Sequence, residues 1–285
     1  MSDRIAVVGL GRLGTCLVRA LLRAGVNVTG LTSKQSDRAL ELARQWNLAS
    51  VVTSLGQIAK HADVVFVTVP DVELATVTEQ LAIGSGQSVV HCSGALDLSP
   101  LTAAAARGAS CGVFHPLQSF GPTANPDRFQ GIAVGVDADP PLADQLSRLA
   151  ERLGAIPFSL RGVDRARYHA AAVFASNYLV ALHAAAARIW QSAGLPPESA
   201  RAALATLSRG AIENIAAHDL ASALTGPIAR GDVATVAGHL AALQNDLPSL
   251  ALYRALASEL LALPLEITPD LRTALLRTLD DSTKT

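Results

Sequence analysis

Two histidine-containing segments carry the side chains best suited to proton transfer. His91-Cys92-Ser93-Gly94-Ala95 follows one strand-like run, and His115-Pro116-Leu117-Gln118-Ser119-Phe120 follows another. A histidine with a pKa near 6.5 can protonate a developing oxyanion or amine. His115 is therefore the first candidate for this role, and Ser93 is a candidate for orienting a substrate. Each histidine could instead be a hydrogen-bonded structural residue, and this alternative is favoured for His91.

A glycine pattern near the start of the chain predicts a phosphate-binding loop. Six residues match GxGxxG between a strand-like run and an amphipathic helical segment: Gly9, Leu10, Gly11, Arg12, Leu13 and Gly14. The first glycine permits a tight turn, the second lets a pyrophosphate approach the backbone, and the third lets helix and strand pack closely. The phosphates would lie at the helix N-terminus. The alternative is an ordinary glycine turn.

The end of the second strand-like run predicts NADP(H) rather than NAD(H) as the cofactor. An acid that would bind the ribose 2′-hydroxyl of NAD is expected about 20 residues after the glycines, and none occurs in Leu31-Thr32-Ser33-Lys34-Gln35-Ser36. Hydroxyls at Thr32 and Ser33 and cations at Lys34 and Arg38 suit a 2′-phosphate. A solvated turn is the alternative.

The strand that ends in Val67-Thr68-Val69-Pro70-Asp71 reaches the edge where open α/β sheets bind their ligands. Val69 and Pro70 are therefore expected to pass under the cofactor. Asp71 could belong to the site or cap the following helix.

The elements that must position these residues form an α/β pattern. Short β-branched runs alternate with helical segments up to about Ser159, and several runs are apolar throughout, as in parallel sheets covered on both faces. The predicted strands are Ile5–Val8, Val26–Leu31, Val64–Val69, Ser88–His91, Gly112–Phe114, Ile132–Val136 and Ile156–Phe158. The fold class predicted is α/β, with a doubly wound Rossmann sheet in residues 1–160 and an all-α domain in residues 161–285.

The first helix of the second domain is predicted to run from about Asp164 to Ala193, roughly 45 Å at 1.5 Å per residue. A helix of that length usually packs against a partner chain, which predicts a homodimer through the C-terminal helices. Its apolar part, Ala170–Ile189, is alanine-rich and contains Asn177, His183 and Arg188. A buried helix is therefore expected rather than a membrane span.

The composition restricts the class of protein. In 285 residues, 50% are hydrophobic and 16% charged, and the net charge is -1, which argues against disorder and against nucleic acid as a partner. Three widely spaced cysteines, Cys16, Cys92 and Cys111, form no zinc-ligand pattern and are expected to be buried thiols, with no metal bound. No secretion signal is evident at the N-terminus, so a cytoplasmic protein is expected.

Longer motifs resemble a known family over essentially the whole chain. The first half resembles the superfamily of β-hydroxyacid dehydrogenases and pyrroline-5-carboxylate reductases, which includes F420-dependent NADP oxidoreductase and ketopantoate reductase. More narrowly, His115–Phe120, Tyr168–Asn177 and Leu224–Asp232 resemble the Rossmann-like plus DUF2520 family. Its function is ill-defined, so the resemblance sharpens the fold more than the substrate.

The resemblance also implies roles for residues of the long helix. In the superfamily this helix often carries a catalytic lysine and, one turn later, a substrate-binding asparagine. Asn177 matches the asparagine, but Val173 stands in the lysine position. This departure disfavours hydroxyacid or ketopantoate chemistry and favours an imine substrate. His169, two helical turns before Asn177, is expected to line the outer pocket or to bond across the domains, whereas Asn177 could also serve helix packing.

Thr225-Gly226-Pro227 predicts a helix start, with Arg230 in the first turn. Thr225, Arg230 and the helix N-terminus would together bind a substrate carboxylate. Simple capping explains Thr225 and Pro227 equally well, and Arg230 could pair with Asp232 or Asp246.

These observations predict an NADP-dependent oxidoreductase that acts on a small carbonyl or imine compound at the cleft between the domains. Asn177 and Ser93 would orient the substrate and His115 would relay the proton. The alternative is a non-catalytic NADP(H)-binding sensor or scaffold, which Val173 favours. A third, weaker reading is a methyltransferase that binds S-adenosylmethionine at the glycine loop.

Overall fold

The computed structural model describes residues 4–123 and 125–280. The chain divides into two compact units, Met1–Asn177 and Tyr178–Thr285. The predicted division between residues 160 and 161 stays a prediction.

The first unit contains one sheet of seven strands, in the order β2-β1-β3-β4-β5-β6-β7. The strands are β1 Arg4–Val8, β2 Asn27–Thr32, β3 Val64–Val67, β4 Ser88–His91, β5 Ser110–Pro116, β6 Ala133–Ala138 and β7 Ile156–Ser159. The predicted Rossmann sheet is thereby confirmed.

The expectation of a parallel sheet holds for only part of it. Strands β1 to β5 are parallel, but β6 pairs antiparallel with β5, and β7 runs parallel to β6. Among the described residues between β5 and β6, the only helical element is the short 3-10 helix Pro126–Phe129. Because a parallel pair needs a long crossover, this connection returns the chain in the opposite direction.

Six helices accompany the sheet: α1 Arg12–Arg23, α2 Ser36–Gln45, α3 Leu74–Gln80, α4 Thr102–Ala105, α5 Leu142–Arg152 and α6 Arg165–Ala175. Leu17 of α1 and Leu146 of α5 pack with Phe114 in one core cluster. Leu74 of α3 and Leu101 pack with Val65 in a second cluster. The two clusters cover opposite faces of the sheet, which explains the continuous apolar runs in its strands.

The second unit is helical, as predicted. Its helices are α7 Asn177–Ser192, which begins at the last residue of the first unit, α8 Pro197–Ala217, α9 Leu220–Ala223, α10 Val233–Leu243, α11 Leu247–Leu261 and α12 Pro269–Asp280. Its core contains Val236, Leu240, Leu250, Leu261 and Leu275.

The prediction of one long, buried helix from Asp164 to Ala193 is wrong in two respects. Ser176, with φ -124° and ψ -70°, separates α6 from α7. The helical stretch Arg165–Ser192 is long and apolar enough to cross a membrane, which alone is weak evidence, and only 6% of its most apolar window is buried. The prediction of a buried helix is therefore wrong for the part of the chain that the structure describes.

The prediction of buried thiols is confirmed for two of the three cysteines. Cys16 and Cys92 are buried thiols, whereas Cys111 is only half-buried because it lies near the start of β5.

Candidate functional site

The glycine loop joins β1 to α1 and has the predicted geometry. Gly9 has a φ of +93°, which favours glycine, and its amide donates to the Thr32 carbonyl over 2.9 Å. A Cβ on Gly11, the residue before α1, would meet nothing within 4 Å. The backbone at the helix N-terminus is therefore open to a phosphate.

Gly14 explains why helix and strand approach so closely. A Cβ at this position would lie 2.0 Å from the Gly9 carbonyl oxygen and 2.4 Å from Thr68 Oγ1. The Thr68 hydroxyl donates to the Gly9 carbonyl over 2.6 Å. The loop is thus held by β1 on one side and by the end of β3 on the other, so a pyrophosphate cradle fits the residues present.

A cavity of about 750 Å³ lies beside this loop. Val8 and Gly9 line it from the end of β1, and Thr32, Ser33 and Lys34 line it from the end of β2. Its apolar wall consists of Val52, Leu55, Val69, Val72 and Val77. Val72 is 90% exposed. An exposed apolar side chain at a cavity suits contact with the flat face of an adenine ring.

Three of the four residues predicted to suit a 2′-phosphate, Thr32, Ser33 and Lys34, line this cavity, whereas Arg38 lines a separate one. Glu73 also lines the first cavity. Lys34 Nζ lies 2.6 Å from Glu73 Oε1. Glu73 belongs to the turn Asp71–Glu73 that precedes α3. An acid therefore lies near the end of β2 after all, but it comes from the segment that follows β3.

The other predicted cofactor residues surround the loop. Leu10 is buried, Leu13 is half-buried and Arg12 is exposed. Arg12 lines a second, smaller cavity of about 250 Å³ together with Arg38 and Gly11. Pro70 directly precedes the turn Asp71–Glu73. The cofactor assignments of these residues stay predictions.

His115 lies in β5, next to the carboxyl end of β4, and has a partner that the sequence did not identify. Its Nδ1 is 2.7 Å from the hydroxyl oxygen of Tyr168 in α6, and the two rings form an edge-to-face pair. A Cβ on Gly94 would lie 2.6 Å from His115 Cε1. Gly94 therefore gives the imidazole room to lie against the turn that follows β4.

The protonation of this pair differs from the sequence expectation. Burial, then the charges of His169 and Arg165, lower the pKa of His115 to about 4. Burial raises the pKa of Tyr168, and the positive charge of Arg165 opposes it. At neutral pH the imidazole is neutral and the phenol keeps its proton. Tyr168 is thus the acid of the pair.

Ser93 is held by two neighbours. Its hydroxyl donates to Asp71 Oδ2 over 2.7 Å, and its amide donates to His91 Nδ1 over 3.1 Å. Asp71 is the first residue of the short 3-10 helix Asp71–Glu73 rather than the residue that caps it, which is Pro70. Asp71 is expected from the sequence either to belong to the site or to cap the following helix. Its hydrogen bond with Ser93 agrees with the first of these roles.

His91 has the structural role expected of it. Its ring is fully buried, and Nε2 lies 2.7 Å from the Asp97 carbonyl oxygen. Because Ser93 donates to Nδ1, Nε2 carries the proton. Both nitrogens are engaged, so His91 fixes the turn after β4.

Arg165 is a buried charge close to the pair. It is only 9% exposed, and its Nη2 lies 2.7 Å from Asp137 Oδ2. Its Nη1 is buried and has no hydrogen-bond partner among the described residues. A buried ion pair of this kind holds the first turn of α6, and with it Tyr168, against the sheet.

The other predicted substrate residues are more scattered. His169 is half-buried and lies close enough to His115 to affect its pKa. Asn177 is exposed and is the first residue of α7. Thr225 and Arg230 lie in the second unit and are also exposed. None of these substrate assignments is tested by the geometry.

The helix start predicted at Thr225-Gly226-Pro227 is wrong. Residues 226–231 form turns, and α10 begins at Val233, capped by Asp232. The positive φ angles of Gly226 and Gly231, +99° and +69°, interrupt the segment. Hydrogen bonds from Thr235 and then the charge of Arg230 lower the pKa of Asp232, which places Arg230 near one of its two suggested partners.

Sequence reasoning missed Thr68, Glu73, Tyr168 and Arg165 as functional candidates. Tyr168 lies inside the motif Tyr168–Asn177, but nothing in the local pattern links it to a histidine 53 positions earlier. Of these four residues, Thr68 is the one that the sequence could have indicated, because it follows β3 at the edge where open α/β sheets bind their ligands.

Two family models match the chain. One, described as a Rossmann-like domain, matches residues 2–116, and the other, the domain of unknown function DUF2520, matches residues 132–260. A search among curated proteins found no significant match.

Several solved structures are similar over nearly the full length. The protein TM1727 from Thermotoga maritima is 30% identical, with a TM-score of 0.73, covering 90% of this chain and 97% of that one. A candidate NADP oxidoreductase from Bacteroides fragilis is 24% identical, with a TM-score of 0.72 and coverage of 91% and 98%. A reductive aminase from Aspergillus terreus, in complex with NADPH and ethyl-5-oxohexanoate, is 13% identical, with a TM-score of 0.61 and coverage of 100% and 94%. The last two likenesses establish the fold alone.

Proposed function

Because the chain belongs to the Rossmann-like plus DUF2520 family, we propose that it is an NADP(H)-dependent oxidoreductase that reduces a small carbonyl or imine compound. One observation carries the proposal: a half-buried tyrosine–histidine pair, Tyr168 and His115, belongs to the same sheet unit that contains the glycine loop. A reductase needs a cofactor site and a proton donor, and this unit offers both.

The chain's own residues suit the cofactor. The amides after Gly9 and Gly11 would hold the pyrophosphate, and Thr32, Ser33 and Lys34 would hold the ribose and its 2′-phosphate. When bound, the reduced nicotinamide supplies a hydride. The protein must then supply one proton for each hydride.

Tyr168 would supply that proton. Its hydroxyl hydrogen passes to the substrate nitrogen or oxygen as the carbon accepts the hydride, so C=N becomes CH–NH or C=O becomes CH–OH. His115, in the tautomer with its proton on Nδ1, would pass that proton to the phenolate over the 2.7 Å that separates the two atoms while its Nε2 takes a proton from solvent. The phenol is then restored and the imidazole stays neutral. His115 acts as a relay, as the sequence predicted, with Tyr168 as the terminal donor.

An imine is the favoured substrate class. Val173 stands where the resemblance to hydroxyacid dehydrogenases places a catalytic lysine, and its absence disfavours hydroxyacid chemistry. Ser93, fixed by Asp71, and Asn177 would orient the substrate. His169, Thr225 and Arg230 would contribute further contacts.

The proposal is tested with Tyr168→Phe and His115→Gln. We expect NADPH affinity, measured by fluorescence titration, to stay within about threefold. Turnover against a panel of cyclic imines and ketoacids should fall roughly 10²- to 10⁴-fold in Tyr168→Phe, the usual contribution of a positioned acid. Tyr178→Phe, at a half-exposed tyrosine of α7, is the matched control and should keep full turnover.

Unchanged turnover in both variants would remove this site assignment. Tight NADPH binding by the wild type without oxidation of NADPH by any compound of the panel would favour the sensor or scaffold instead.

A further inference from the structure

The cavity beside the glycine loop contains a balanced pair of charges. Among the described residues that line it, Lys34 and Glu73 are the only two with a charged side chain. They come from elements 39 positions apart and meet over 2.6 Å. The lining of this cavity therefore has no excess positive charge, and the cations Arg12 and Arg38 line the separate cavity beside Gly11.

This balance matters for the choice between the two nicotinamide dinucleotides. A 2′-phosphate carries about two negative charges and needs cations or N–H donors to replace its hydration. While Lys34 is paired with Glu73, its ammonium group is engaged, and the carboxylate repels the phosphate. A free 2′-hydroxyl has the opposite requirement, since it needs an acceptor such as a carboxylate.

Glu73 is placed to be that acceptor. It lines the same cavity as Thr32, Ser33 and Lys34, and its side chain is 29% exposed, so it can reorient without unfolding the turn that carries it. Its backbone amide is fixed to the Pro70 carbonyl over 2.9 Å. The next residue, Leu74, is 1% exposed and anchors the start of α3.

On the basis of the proposed function, we infer that Glu73 is a specificity-determining residue that lets the chain bind both NADP(H) and NAD(H). Lys34 binds the 2′-phosphate once it leaves Glu73, and Glu73 accepts a hydrogen bond from the 2′-hydroxyl when no phosphate is present. The acid that dinucleotide-binding domains usually carry at the end of β2 is here supplied by the segment after β3.

The test measures dissociation constants of NADPH and NADH for the full chain and its variants by fluorescence titration, with no turnover required. In the wild type we expect the two constants to lie within about tenfold of each other. Glu73→Gln should bind NADPH several-fold more tightly and NADH several-fold more weakly, which raises the NADPH preference about tenfold, or roughly 1.4 kcal/mol. Lys34→Met should lower that preference by a similar factor.

Glu79→Gln is the matched control, because Glu79 is an exposed acid of α3 outside the cavity lining. It removes the same charge and should leave the preference unchanged. Thermal unfolding of each variant checks that the fold is intact, and Glu73→Ala provides a second variant if Glu73→Gln does not fold.

The outcomes are separable. If the wild type binds neither dinucleotide, the proposed function fails and this inference fails with it. If the wild type binds NADPH and the Glu73 variants keep its NADPH preference, or shift it no more than Glu79→Gln does, the inference alone is overturned.

Discussion

The two units of the chain bury their apolar side chains to very different extents. In the first unit every residue of β3 is buried, and seven of the twelve residues of α1 are buried. In the second unit α8 has 21 residues, of which only Ala200 is buried, and α7 buries only Ala185. The sheet unit has a complete core, whereas two long helices of the second unit leave apolar side chains exposed.

Apolar side chains therefore have different roles in the two units: in the first they form an internal core, and in the second many lie at the surface. The strands of the sheet and helix α1 find their apolar partners within the unit, whereas α6, which carries Tyr168, buries only Arg165. The core of the second unit is formed mainly by α10, α11 and α12. Exposed side chains such as Val180 and Leu207, 71% and 73% accessible, suit a surface that a second chain covers. The predicted homodimer is therefore retained as a proposal.

The largest effect should come from the tightest contact in the sheet unit. We expect Gly14→Val to destabilise the chain by roughly 3 to 5 kcal/mol and to abolish dinucleotide binding, because its Cβ would meet the Gly9 carbonyl at 2.0 Å. Denaturant unfolding and fluorescence titration measure both. Gly11→Ala, whose Cβ meets nothing within 4 Å, is the control and should lose less than about 1 kcal/mol. Equal stability of the two variants would refute the close packing.

A smaller effect should distinguish the core of the second unit from its exposed helices. Leu275→Ala should cost about 2 to 4 kcal/mol, since Leu275 is 0% exposed. Leu207→Ala should cost less than about 0.5 kcal/mol at concentrations where the chain is monomeric. Chemical unfolding at several protein concentrations checks both values. Similar losses at all concentrations would show that Leu207 belongs to an intramolecular core.

The pH dependence of stability should report the burial of His115. Its pKa is lowered from 6.5 to about 4, so the unfolded state binds more protons between these values and stability falls as the pH falls through this window. We expect wild type to lose roughly 2 kcal/mol more than His115→Gln between pH 6.5 and pH 4. Urea unfolding at a series of pH values measures the difference. Parallel pH profiles for the two proteins would contradict it.

The smallest effect on stability is expected for a variant that changes the oligomeric state. We expect the wild type to sediment as a dimer, at twice the 29.5 kDa of one chain, and Val180→Glu to sediment as a monomer with an unchanged circular dichroism spectrum. Arg201→Glu, at an exposed position of α8, should remain dimeric and serves as the control. A monomeric wild type would remove the homodimer proposal.

Features with local causes could be predicted from the sequence. The seven strands and the glycine loop follow from apolar runs and glycine spacing. The pairing of His115 with Tyr168, the acid Glu73 near β2 and the reversal of β6 depend on contacts between distant segments, and no local pattern specifies them. The break at Ser176 and the turn at Gly226 changed helix boundaries, which neighbouring residues determine only weakly.

The hydroxyl of Thr68 has a consequence for binding energetics. Because it already holds the Gly9 carbonyl, the loop does not have to be ordered when a ligand arrives. The loop loses its conformational entropy during folding, so this loss does not weaken the binding of a ligand. The backbone amides are already arranged to bind an anion.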